Sequence, residues 1–94
     1  MEVVIRVHAS FVAQWRGITE ELIKYVVNNP QQKLPSKKGR VILQSKYYDQ
    51  IEKKEMILRV VGIEGPDKFN VLTVYKTSKI GKYWMEGVWN ESNI

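Results

Sequence analysis

After residue 40 the apolar side chains change their spacing, and that change limits the fold more than any other feature of the chain. "RVILQSKYY" (40–48), "EMILRVVGI" (55–63) and "FNVLTVYK" (69–76) are rich in β-branched and aromatic residues. Successive side chains of a strand point to opposite faces, so these runs read as strands of one sheet. The short links "DQIEKK" and "EGPDK" carry turn chemistry, which predicts an antiparallel meander.

The segment before residue 30 is patterned differently. Val3, Ile5 and Val7 alternate with Val4, Arg6 and His8, which predicts a short strand closed by His8. Ala9 to Trp15 holds no proline or glycine and predicts a short helix that stops at Gly17. Thr19 reads as the N-cap of a second helix, with Glu20 and Glu21 opposing the positive end of its dipole. Leu22, Ile23, Val26 and Val27 supply one buried face of it, and Pro30 ends it at "NNP". "QQKLPSKKG" predicts a mobile basic connection, while "YWMEGVW" reads as a last strand or an irregular apolar tail. The expected fold is a single α+β domain over residues 1–94, with an N-terminal strand and helices packed on one face of an antiparallel β-sheet. A length of 94 residues suits one small core.

Composition matters chiefly for what it excludes. The chain has no cysteine, so disulfides, thiolate zinc sites and a cysteine nucleophile are out, and a reducing compartment fits. No apolar run approaches the roughly 20 residues of a membrane span, and "MEVVIRVHAS" lacks the pattern of a signal peptide. These features predict a cytoplasmic protein with no membrane contact. The net charge of +5 is uneven: residues 29–54 hold seven basic and two acidic side chains, and 68–82 hold four lysines and no acid. Such clusters suit phosphate-bearing partners, because each cation placed on a phosphate releases counterions. The same lysines also serve as ordinary solvated surface.

The chemistry-bearing residues are few. His8 is the sole histidine, and the acidic residues are scattered, so neither a metal nor another cofactor is expected. No phosphate-binding glycine loop and no nucleophile elbow occur. What stands out is "VHASFVAQWRGIT" early and "VLTVYKTSKIGKYW" late. Thr73 and Tyr75 share one strand face, with Lys76 on the other, followed by Ser78, Lys79, Lys82 and Tyr83. Trp15, Trp84 and Trp89 fit core or interface positions better than nucleobase platforms. The loop bearing Lys37, Lys38 and Arg40 is either a solvated connection or a grip for an RNA backbone.

A histidine followed eight residues later by "RGIT", then strands and a closing "V-x-T-V-Y" strand with lysines, resembles a family of small prokaryotic domains of uncharacterised function. That family is grouped with the RelE-, barnase- and EndoU-like ribonuclease superfamily, which contains many toxins of toxin–antitoxin pairs. The resemblance spans roughly His8 to Trp84. It implies a RelE-like fold, RNA as substrate, a cognate antitoxin as partner, and metal-independent cleavage. The chain departs from the family pattern at Val12, where members usually carry a second basic residue. In metal-free RNA cleavage His8 would serve as base or acid, Arg16 would hold phosphate oxygens, and Lys76 or Lys79 would stabilise the phosphorane. Tyr75 or Tyr83 would donate a hydrogen bond or stack on a base, and Thr73 or Ser78 would orient the phosphate.

Two readings therefore stand. One is a ribonuclease-like protein whose catalytic residues are His8, Arg16, Tyr75 and Lys76. The other is a non-catalytic module that uses the same basic face to bind nucleic acid or an acidic protein. Whether His8, Arg16 and the Thr73–Tyr75 face converge on one concavity separates them.

Overall fold

The computed structural model describes residues 1–85. Five strands form one sheet in the order β1-β5-β4-β3-β2, with β1 Glu2–Ile5, β2 Gln32–Pro35, β3 Val41–Asp49, β4 Lys54–Glu64 and β5 Lys68–Thr77. Helix α1 spans Val7–Trp15, α2 Glu20–Asn28 and α3 Ile80–Tyr83. The fold is α+β, as the change of hydrophobic period predicts, and β3, β4 and β5 form the expected antiparallel meander.

The sheet is mixed rather than antiparallel throughout. Strand β1 lies parallel to β5, with Glu2 opposite Lys68 and Ile5 opposite Val71. Local spacing predicts a strand at Val3–Ile5 but carries no information on its distant partner, whose apolar edge accepts either direction. The basic connection also differs from expectation. Gln32–Pro35 pairs antiparallel with β3, and Pro35 is tolerated because it closes an edge strand. His8 belongs to the first turn of α1 rather than to the strand before it.

Register and pleat assign the two faces. Leu43, Val60 and Val74 share one face, together with Leu58, and α1 and α2 cover it with Ala9, Ala13, Ile23, Val26 and Val27. Phe69 and Val71 extend this core toward β1. The joint between the helices is the "RGIT" segment. Gly17 takes a positive φ of 69°, its amide donates to the Gln14 carbonyl, and the Ile18 amide donates to the Ala13 carbonyl. That is a Schellman closure of α1, with Ile18 buried beneath it. Thr19 Oγ1 then accepts from the Leu22 amide at 3.1 Å and starts α2.

Strand β1 ends opposite Val71, so the edge of β5 beyond that point has no strand neighbour. Helix α1 runs beside it, and Arg16 Nη1 donates to the Val74 carbonyl at 2.9 Å. An otherwise open edge carbonyl is thereby satisfied.

Candidate nucleic-acid interface

The second face of the sheet is polar and aromatic. Gln32, Gln44, Arg59 and Tyr75 follow one another across β2, β3, β4 and β5, since Gln32 is opposite Gln44, Gln44 opposite Arg59, and Arg59 opposite Tyr75. Helix α3 and the two residues after it fold over this row. The Gln44 Nε2 donates to the Tyr83 carbonyl at 3.1 Å and to Gln32 Oε1 at 2.7 Å. Gln32 in turn holds the backbone of Met85 at both its amide and its carbonyl. Two buried side-chain amides therefore strap the end of the described chain to the sheet.

Arg59 is the centre of this arrangement. It is only 8% exposed, its Nε donates to Gln44 Oε1 at 2.8 Å, and its Nη1 donates to the Tyr75 hydroxyl. The guanidinium carbon lies 4.6 Å from the Tyr83 ring centre and 5.4 Å from that of Tyr75. The two rings meet edge to face with centres 6.3 Å apart. Among the described residues the ion pairs are Lys33–Glu64 and Lys76–Asp49, so Arg59 has no carboxylate partner there. Its hydrogen bonds within the described residues go to neutral groups. Around it, Lys46 Nζ sits 4.4 Å from the Trp84 ring centre and Lys82 Nζ 5.2 Å from that of Tyr83. Thr73 and Thr77 lie on the same face of β5 as Tyr75.

The residues nominated from sequence are divided among separate places. Tyr75, Tyr83 and Lys82 join Arg59 as described, with Thr73 beside them on β5. Arg16 and Lys76 line a cavity at the other face's edge with Ser78, Lys79, Lys54 and Glu52. There Lys76 Nζ pairs with Asp49 Oδ2 at 3.0 Å, and both side chains are nearly buried. His8 is exposed and lines a different cavity with Arg6, Ile63, Asn70 and Leu72. Arg16 follows His8 by eight residue steps, about 12 Å along the α1 axis. Lys37, Lys38 and Arg40 are exposed in and beside the 3-10 turn Lys37–Gly39 that links β2 to β3. Trp15 is exposed rather than in the core, and Trp89 lies outside the described residues.

The fold tunes the Asp49 carboxylate. Burial alone would raise its pKa, but the Glu52 amide, the Tyr47 hydroxyl and Lys76 outweigh that cost and lower it from 3.8 to about 2. The Tyr47 hydroxyl is pushed up by burial first and then by its bond to Asp49. Asp49 Oδ1 also accepts from the amides of Ile51 and Glu52, so it organises the β3–β4 turn. Among the described residues no three histidine, aspartate or glutamate side chains gather as a metal-binding group. None of the described helices is long and apolar enough to cross a membrane.

Sequence reasoning missed Arg59, Gln44 and Gln32. The available signal was the single charged side chain inside "EMILRVVGI", a position where a central strand normally carries an apolar residue. A scan against known protein families, a search of curated proteins and a search of solved structures each return no match.

Proposed function

We propose that the protein is a nucleic-acid-binding module that holds single-stranded RNA along the rim where α3 covers the second face of its sheet, beside Arg59, and does not cleave it. The observation that carries this reading is Arg59, a buried guanidinium clasped by two tyrosine rings and bonded, among the described residues, only to neutral groups. A buried cation is costly without a counter-charge, none faces Arg59 among the described residues, and a phosphate oxygen would supply one. The flanking aromatics, Tyr75, Tyr83 and Trp84, offer π-faces on which unpaired bases stack, and Lys46 and Lys82 follow the backbone. The resemblance noted in the sequence supports RNA as the polymer.

Cleavage without a metal needs a base, an acid and a cation within reach of one phosphate. His8 lies in one cavity, Arg16 and Lys76 in another, and Tyr75 on the opposite face of the sheet from Lys76. Lys76 is already neutralised by Asp49. The separation of these groups favours binding over catalysis.

Fluorescence anisotropy of the full chain with labelled oligouridine in EDTA, over a salt series, tests the reading, and a denaturing gel of the same mixtures scores cleavage. Binding should weaken with a log–log slope of about −2, as for roughly three phosphate contacts. Arg59→Lys and Tyr83→Ala should each weaken binding by about tenfold or more, with the fold checked by circular dichroism. Absence of binding at low salt overturns the proposal. Cleavage in EDTA that falls by about 10²–10⁴-fold in His8→Ala would replace it with a metal-free ribonuclease.

A further inference from the structure

Helix α1 carries its small residues inward and its large ones outward. Ala9 and Ala13 face the core, while Val7, Phe11 and Trp15 are 86%, 65% and 81% exposed. Spaced four apart, these three form one continuous ridge along the outer surface of the helix. The Phe11 and Trp15 rings are stacked, with centres 6.4 Å apart. The exposed apolar area of the ridge is on the order of 400 Å², the size of patch that on small proteins is often functional. A helix that is apolar on both sides is normally covered on both.

The shape of the ridge points to what covers it. Beside Val7, Phe11 and Trp15 runs a second row of the same spacing, His8, Val12 and Arg16. Between the rows, Phe11, Val12, Trp15 and Arg16 line a groove of about 160 Å³. A groove bounded by two such rows is the one that a second α-helix fills with its own ridge of residues four apart. The charge on this surface then selects among helices. From Val3 to Thr19 the chain has no acidic residue; Arg6 precedes the ridge, and Arg16, which lines the groove while its Nη1 holds the Val74 carbonyl, follows it. A second copy of the chain would set these arginines against their own counterparts, which opposes self-association. An acidic border on the partner turns the same charges into attraction.

We propose that the ridge docks an amphipathic helix of a partner protein whose apolar face is bordered by aspartate and glutamate. Trp15 is the anchor, since a large aromatic entering a partner's apolar face supplies most of the energy of such contacts. Arg6 and Arg16 orient the partner helix and speed its arrival. The surface lies on α1 and is separate from Arg59, so this inference does not depend on the RNA-binding reading.

The test uses the full chain and a labelled synthetic amphipathic helical peptide with a leucine ridge and glutamate borders. A lysine-bordered version and vesicles of phosphatidylglycerol with phosphatidylcholine serve as comparisons. The acidic peptide should bind, the lysine version should not, and raising salt should weaken the complex. Trp15→Ala should weaken it by at least about 30-fold and Phe11→Ser by a similar factor, while Arg6→Glu should act mainly through a slower association rate. These side chains are exposed, so their variants keep the fold, and the oligouridine affinity of Trp15→Ala should match that of the wild type. Equal binding of both peptides, or binding indifferent to Trp15→Ala and Phe11→Ser, overturns the proposal. So does a dimer in sedimentation equilibrium that Trp15→Ala dissolves, or vesicle binding without peptide binding.

Discussion

The Lys76 ammonium lies 3.0 Å from Asp49 Oδ2, joining the last part of β5 to the start of the β3–β4 turn. With side chains only 12% and 6% exposed, the pair sits largely out of water. Removing one member of a buried pair leaves the other charge uncompensated, which costs about 3 kcal/mol or somewhat more. Lys76→Ala should therefore lower stability by about that amount in urea unfolding. The oligouridine affinity of the folded variant should stay within about threefold of wild type, since a lysine held by a carboxylate contributes little to phosphate attraction.

The same aspartate makes stability depend on acid. Its folded pKa of about 2 lies below the unfolded value of 3.8. The unfolded chain therefore binds its proton first as the pH falls, and the native state loses the advantage of the ionised carboxylate. The stabilisation is about 2 kcal/mol, fully present above roughly pH 4 to 5 and lost as the pH drops toward 2. Urea midpoints between pH 5 and pH 2 should fall for the wild type. In Asp49→Asn the start should be lower and the slope shallower over that interval.

Gly62 sits where the β4–β5 register shifts between Val61 and Gly62. A Cβ there would run into the Asn70 carbonyl and the Phe69 ring, both parts of β5. Phe69 is fully buried, so it has no room to move aside. Gly62→Ala should destabilise by about 3 kcal/mol, and a reduced melting temperature with weakened dispersion of core NMR signals would register it. An unchanged melting temperature would contradict the close approach of β4 and β5 at this point.

Thr19→Ala removes the side-chain acceptor for the Leu22 amide. The expected loss is about 1 kcal/mol of global stability, with little change in oligouridine affinity. Thr19→Ser, which keeps the hydroxyl, should restore most of it. Equal stability of the alanine and serine variants would show that water replaces the cap without cost.

Local patterns made the helices and the meander readable, because each depends on neighbours a few residues away. Gly17 and Thr19 announce a helix end and a helix start two positions apart, and the structure uses both. The period-two runs place β3, β4 and β5 for the same reason. What the sequence left unreadable is pairing over distance. Nothing near Val3 names β5 as its neighbour, and nothing near Lys76 names Asp49. The short strand Gln32–Pro35 was hidden by its proline and its polar company, since an edge strand does not need the regular alternation of a buried one. The candidate site suffered most. Its tyrosines were visible as members of an aromatic run, but Arg59 gains its meaning only from Gln44 and Tyr75 on the two neighbouring strands.

The parallel pairing of β1 with β5 also orders events in time. Residues 2–5 are synthesised well before their partners at 68–71. A meander of β3, β4 and β5 closes through short turns, whereas β1 must wait and then close a long loop, which slows its docking. Until then the part of the β5 edge from Lys68 to Val71 stands open. The nascent protein thus passes through an interval with an unpaired strand edge, when a chaperone or a neighbouring chain competes with β1 for β5.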